Sequence, residues 1–174
     1  MPDRKVTQTL DFVKGLLISA DEIDNALSGG LEPRKVLAQG HTKIANLSSR
    51  QIEELGMYQG RVVWVALSAE LALKYLWEME NSGGAPVGHD LRKCFNCLLD
   101  HHKDEIRRNY EKRVPDPLEE DWRTVDQLFE ICRDAFVDWR YIVEEGNYPN
   151  YIMRATYLKE ATLSVIDVAE ASRV

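Results

Sequence analysis

The feature that most constrains this chain is one unusually long helical stretch, from about residue 49 to residue 80. From Val62 onward, its apolar residues fall on nearly every side of the helix, which is typical of a central helix covered by several neighbours. The polar exceptions, Glu70, Lys74 and Glu78, are spaced four apart and therefore share one face. Such a helix needs other helices around it, so we expect an all-helical fold.

Apolar residues recur at helical spacing in the rest of the chain, and no long segment alternates with period two. This spacing predicts further helices, separated by turns rich in Gly, Pro and Asn, over residues 6–27, 89–114, 118–143 and 152–169. Residues 32–42 contain Pro33 and Gly40 and are either a short helix or a loop. Because most connections are short, we expect an antiparallel up-and-down bundle of four to five helices that forms one domain over residues 1–174.

Composition narrows the function classes. Asp and Glu total 29 against 22 Lys and Arg, and the net charge of −7 argues against a dedicated nucleic-acid binder, although a local basic patch can still bind RNA. The odd set of Cys94, Cys97 and Cys132 is not a secreted disulfide framework. The N-terminal residues lack the apolar stretch of a signal peptide, and charged residues interrupt the most apolar segment, residues 62–79. We therefore expect a reduced, cytoplasmic protein without a membrane span.

Cysteine and histidine spacing raises the question of a metal site. Cys94, Cys97 and His101 would share one face of a continuous helix and could bind zinc there. The alternative is that the cysteines are small buried hydrophobic residues, and apart from the neighbouring His102 there is no second Cys/His pair to close a tetrahedral site. The Glu-x-x-His pattern of carboxylate-bridged metal bundles is also missing. We predict no metal site and no cofactor.

A basic cluster near the end of the third predicted helix is a candidate phosphate or RNA patch, formed by Lys103, Arg107, Arg108, Lys112 and Arg113. Acidic neighbours dilute this cluster, and most such runs are solvated helix ends with cations near the C-terminus. Tyr110 lies within the cluster and could stack on a base. The chain has no Gly-rich phosphate loop and no nucleophile elbow, so short motifs alone do not identify an enzyme.

Three segments occur in a fixed order along the chain: residues 69–74 (AELALK), 88–95 (GHDLRKCF) and 136–144 (FVDWRYIVE). Together they resemble the HEPN superfamily, the higher eukaryote and prokaryote nucleotide-binding domains, over about residues 60–170. The resemblance implies a helical bundle, commonly homodimeric, with a polar cleft near the dimer interface. Many members are RNA-cutting toxins or defence proteins, and others are non-catalytic partners of small nucleotidyltransferases.

Carried onto this chain, the resemblance gives seven ligand-binding candidates: Arg140, Tyr141, Glu144, Asn147, His89, Glu70 and Lys74. Other roles remain open for several of them. Arg140 could pair with Glu144 one turn on, and Glu70 and Lys74 could pair on their helix face or bridge a dimer. His89 could be purely structural, because a helix is predicted to start there and Asp90 favours its N-terminus.

In the ribonuclease members, four to six residues separate an Arg from the His that follows it. This chain departs from that pattern. Six residues separate Arg140 from Asn147, which stands where a His is expected. The Asn147 side chain cannot exchange a proton near neutral pH as His does. Arg34 and His41 have the required spacing, but they lie beside the helix breakers Pro33 and Gly40.

We therefore expect a non-catalytic HEPN-like homodimer that binds nucleotide, RNA or a partner protein, within a toxin–antitoxin or defence system. One alternative is an active, metal-independent endoribonuclease toxin whose proton-transfer group is His89 or His101. Another is a bundle that only mediates protein contacts. Arg140→Ala is expected to weaken ligand binding and to leave the fold intact.

Overall fold

The computed structural model describes residues 4–28, 49–81, 85–116, 122–139 and 148–173. The helices in these ranges are α1 (Arg4–Ser28), α2 (Ser49–Glu80), α3 (Leu91–Asn96), α4 (Asp100–Arg113), α5 (Val125–Ile131), α6 (Ala135–Asp138) and α7 (Tyr148–Ala171). No strand occurs within them, so the all-helical prediction is confirmed. The up-and-down order of the bundle stays a prediction.

Helix α2 is the centre of the fold, as its all-round apolar pattern predicts. Helices α1 and α7 pack along it, and α3 and α6 also contact it. Its buried apolar residues cover several sides and include Val62, Val65, Ala66, Ala69, Ala72, Leu73, Tyr75 and Leu76. Among the helices of the described ranges, none has both the length and the apolar character needed to cross a bilayer.

Helices α1 and α7 bury one stripe each. In α1 the stripe recurs every three or four residues, at Leu10, Val13, Leu17 and Ala20. In α7 it comprises Ala155, Leu158, Ala161, Val165, Val168 and Ala169. Ion pairs between Lys14 and Glu170 and between Lys159 and Asp21 join the two helices at the surface. Exposed pairs contribute little, so apolar burial against α2 holds the two helices in place.

The third predicted helix is in fact two helices, α3 and α4, and the prediction of one continuous helix was wrong. Asp90 caps α3 by accepting a hydrogen bond from the Lys93 amide at 2.8 Å, as its position predicts. The chain then turns before α4, because the Leu99 amide donates to the carboxylate of Glu80 at 3.0 Å. A side chain of α2 thus accepts the N–H that a continuous helix would keep within itself.

The fourth predicted helix is also interrupted. Thr124 and Gln127 form a capping box that begins α5, and the helix ends at Ile131. The Arg133 carbonyl then accepts the Leu91 amide at 2.8 Å, a bond that ties the turn to the start of α3. In a regular helix that carbonyl would accept the amide four residues on, so the tertiary bond replaces a helical one.

Helix α7 begins earlier than predicted, at Tyr148 rather than near residue 152. Pro149 falls in its first turn, where an amide donor is not required. The ambiguous segment at residues 32–42 lies outside the described residues.

A hydrogen-bonded chain joins α2, α4 and the C-terminal end of α7. The Glu80 carboxylate, 2% exposed, accepts from Nδ1 of His102. Nε2 of His102 lies 3.1 Å from Oγ of Ser172, and that hydroxyl also donates to the Val168 carbonyl at 2.8 Å. The Glu80 carboxylate and the His102 imidazole, both largely buried, therefore have hydrogen-bond partners, as stable interiors require.

Candidate functional site

Three of the seven ligand-binding candidates, Glu70, Lys74 and His89, meet at one point. Glu70 and Lys74 lie one turn apart on α2, and Nζ of Lys74 is 2.7 Å from Oε1 of Glu70. His89 comes from the connection between α2 and α3, and its Nδ1 lies 2.9 Å from Oε2 and 3.1 Å from Oε1 of the same carboxylate. The predicted pairing on the helix face is confirmed, and the carboxylate also holds a histidine.

The backbone on both sides of His89 is fixed. Gly88 has a φ of +103°, a conformation that residues with a Cβ rarely adopt. Its carbonyl accepts a hydrogen bond from Nζ of Lys74 at 2.7 Å, so the lysine binds both the carboxylate and the loop. Asp90 follows as the cap of α3. His89 thus sits between a glycine with a positive φ and the residue that caps α3.

Burial differs sharply within the cluster. The Glu70 side chain is only 5% exposed, whereas that of His89 is 47% exposed. A carboxylate removed from water is costly unless it is paired, and here the ammonium of Lys74 and the imidazole of His89 satisfy it. The cluster therefore places a buried carboxylate behind a half-exposed histidine.

An aromatic ring flanks the histidine. The ring of Phe136 lies 5.2 Å from that of His89, at an interplanar angle of 43°. Three residues further on, Trp139 is 2% exposed and lies in the core. Phe136 and the Gly88 carbonyl were not among the predicted site residues, although both fall in segments that carry the HEPN resemblance.

The other four candidates of this group, Arg140, Tyr141, Glu144 and Asn147, lie outside the described residues. They follow directly on Trp139 in the sequence, and Phe136, three residues before Trp139, contacts His89. Their roles stay predictions.

The predicted basic patch does not form one cationic surface. Three of its members pair with carboxylates: Lys103 with Asp100 at 2.8 Å, Arg107 with Asp126 at 2.8 Å, and Arg113 with Asp167 at 2.7 Å. Arg108 and Lys112 are exposed on the outer side of α4. Because carboxylates from other elements offset much of its charge, this surface supports phosphate binding less than its sequence suggests.

Arg107 belongs to a structural network. The hydrogen bonds that its guanidinium donates hold the pKa of Asp126 below its ordinary value. Nη1 of Arg92, 3.0 Å from Oδ1 of Asp126, lowers that pKa as well. The same guanidinium lies over the ring of Phe95, 5.5 Å from its centroid. These contacts join α3, α4 and α5, so we assign Arg107 a role in the fold.

The suspected zinc ligands are divided between elements. Cys94 is buried in α3, Cys97 is exposed at the end of that helix, and His101 lies on α4. Across the described ranges, no group of three or more His, Cys, Asp or Glu side chains could hold a metal ion. The geometry agrees with the alternative interpretation for Cys94 and Cys132, which are small side chains of the core.

We expect the three thiols to react at very different rates. Burial raises the pKa of Cys94 to about 11 and that of Cys132 to about 12, so few thiolates form at pH 8, and neither thiol is accessible. Iodoacetamide should therefore modify the native protein at Cys97 alone, and all three cysteines after denaturation in urea. Intact-mass spectrometry and peptide mapping measure this, and rapid native labelling of Cys132 would contradict the buried assignment.

No family model, curated protein or solved structure matches the chain. The site must therefore be judged on its own chemistry. A histidine oriented by a carboxylate can accept or donate a hydrogen bond through its outer nitrogen, and it can exchange a proton there. The ring beside it, Phe136, is half-buried and packs against the core.

Proposed function

We propose that this chain is a HEPN-like helical bundle that binds nucleotides or single-stranded RNA at the cluster of Glu70, Lys74 and His89. The observation that carries the proposal is the half-exposed His89, held by the buried carboxylate of Glu70. In this proposal the protein acts as a cytoplasmic homodimer and belongs to a toxin–antitoxin or defence system, as the HEPN resemblance suggests. Light scattering that gives the mass of one 20.0 kDa chain would contradict the dimer.

Several features support a ligand at this point. The cluster joins the half-exposed ring of His89 to the ring of Phe136, and aromatic rings of this kind suit contact with a nucleotide base. The HEPN resemblance adds Arg140, whose planar guanidinium suits a phosphate. The weakness of the basic patch on α4, with most of its charge paired, favours this localised site over an extended electrostatic surface.

A second candidate function is an endoribonuclease, and the Glu70–His89 pair favours it. A carboxylate that orients a histidine is the arrangement of a general base. His89 would take the proton of a ribose 2′-hydroxyl, the 2′-oxygen would attack the adjacent phosphorus, and the bond to the 5′-oxygen would break. The products would be a 2′,3′-cyclic phosphate and a 5′-hydroxyl end protonated by water. Asn147, which replaces the expected His, weighs against this function.

One experiment separates the two functions. The protein is incubated with mixed single-stranded RNA, and both retention on a filter and cleavage on a gel are scored. We expect retention without cleavage, reduced about tenfold by His89→Ala and by Arg140→Ala, because truncating a central contact residue commonly costs 1 kcal/mol or more. His101→Ala tests the other histidine named as a possible proton-transfer group. His101 is exposed on α4 and is not part of the cluster, so this variant should bind as the unaltered protein does.

Each other outcome has a defined meaning. Cleavage that is lost in His89→Ala and kept in His101→Ala would establish the endoribonuclease and overturn the non-catalytic proposal. If RNA and free nucleotides are neither retained nor cleaved, the proposal is wrong, and a bundle that binds a partner protein becomes the leading hypothesis.

A further inference from the structure

We infer that the site distinguishes ribose from deoxyribose, with Nε2 of His89 accepting a hydrogen bond from the 2′-hydroxyl of a bound RNA nucleotide. This inference rests on the proposed function and specifies its ligand. It follows from the proton arrangement that Glu70 imposes on the histidine ring.

The first step concerns Nδ1 of His89. This nitrogen lies within 3.1 Å of both oxygens of Glu70. An ionised carboxylate only accepts hydrogen bonds, and this one also accepts a hydrogen bond from the ammonium of Lys74 at 2.7 Å. Nδ1 therefore carries the proton and donates a hydrogen bond to Glu70.

The second step concerns the opposite edge of the ring. In a neutral imidazole one nitrogen donates and the other accepts, so a proton on Nδ1 leaves the lone pair on Nε2. The side chain is 47% exposed, and Nε2 lies on the side of the ring away from the nitrogen that Glu70 binds. A ligand that contacts Nε2 therefore meets a hydrogen-bond acceptor whose tautomer Glu70 fixes.

The third step matches that acceptor to a ligand. Phosphate and ring oxygens of a nucleic acid only accept, so they gain nothing from Nε2 of a neutral His89. The ribose 2′-hydroxyl donates, and it is the group that lets a protein tell RNA from DNA. Amino groups of the bases also donate, but they are common to both nucleic acids and give no such selectivity.

The test compares three oligonucleotides of the same base sequence at pH 8: RNA, DNA that carries uracil in place of thymine, and 2′-O-methyl RNA. Total retained oligonucleotide is scored, intact and cleaved together. We expect RNA to bind about threefold to tenfold more tightly than the other two, the usual worth of one hydrogen bond. The 2′-O-methyl oligonucleotide keeps the 2′-oxygen and lacks only the donor, so this comparison uses the unaltered protein. His89→Phe keeps a ring beside Phe136 and should make the three affinities equal.

Failure of the inference differs from failure of the proposed function. Equal retention of all three oligonucleotides by the unaltered protein would overturn the inference and leave nucleic-acid binding in place. Retention of none would overturn both. Selectivity for RNA that survives in His89→Phe would place the 2′-hydroxyl contact elsewhere and also overturn the inference.

A ligand-free measurement tests the same proton arrangement. Nitrogen NMR of histidine-labelled protein at pH 8 distinguishes the two neutral tautomers, and the His89 signals are assigned by their loss in His89→Phe. We expect the proton on Nδ1. A proton on Nε2 would turn the outer edge into a donor and would overturn the inference whatever the binding data show.

Discussion

Phe95→Ala is expected to lower the free energy of unfolding by about 4 kcal/mol, as deletions of fully buried aromatic rings do. Phe95 is 0% exposed, and its ring lies 5.1 Å from that of Phe129. The guanidinium of Arg107 lies over the same ring at 5.5 Å, so the substitution also removes a cation–π contact at the meeting point of α3, α4 and α5. The short helix α3 cannot collapse around the cavity, because Asp90 and the Arg133 carbonyl fix its start.

Urea denaturation followed by circular dichroism measures the loss. Phe12→Ala on α1 is the matched control, since that side chain is 57% exposed and its removal should cost only about 0.5 kcal/mol. Losses of similar size in the two variants would show that Phe95 does not pack at the meeting point of α3, α4 and α5 as its burial indicates.

Glu80→Ala is expected to lower the free energy of unfolding by about 3 kcal/mol, because each hydrogen-bond donor that loses its acceptor costs about 1 to 3 kcal/mol. The substitution leaves two donors without their acceptor: the Leu99 amide, which begins α4, and Nδ1 of His102. It also releases His102 from the position in which it meets Ser172, so the end of α7 loses a contact. One substitution should therefore loosen three helices.

Glu78→Ala is the matched control, because Glu78 is exposed on the same helix two residues earlier. Its removal should change the unfolding midpoint little. Hydrogen exchange should show faster exchange at the start of α4 in Glu80→Ala and not in Glu78→Ala. An equal effect of the two variants would mean that the charge of this helix end matters, and not the buried chain.

The central helix could be predicted from the sequence because its signal is local. Apolar residues on all sides of a helical segment, continued to Glu80, indicate a helix that other helices cover. The structure has this helix at Ser49–Glu80. The breaks in the third and fourth predicted helices could not be found in this way. The Glu80 carboxylate and the Arg133 carbonyl produce them, and each acts on a residue distant in the sequence.

In the candidate site, too, only the contacts between residues close in the sequence could be predicted. The pairing of Glu70 with Lys74 follows from their spacing, and the cap at Asp90 follows from its position. The meeting of His89 with Glu70 depends on the path of the connection after α2, which spacing does not encode. The partners of the basic cluster were missed for a similar reason, because Asp126 and Asp167 come from α5 and α7.

The packing of α7 along α2 has a consequence for the newly made chain. Helix α2 is complete at Glu80, whereas α7 ends at Ala171. At bacterial to eukaryotic synthesis rates, the interval between them lasts roughly 5 to 20 s. Throughout it, the side of α2 that α7 covers has no partner from its own chain, and such uncovered apolar surface is what chaperones bind and what drives aggregation. The chain therefore needs chaperones mainly while it is being translated, before α7 has left the ribosome.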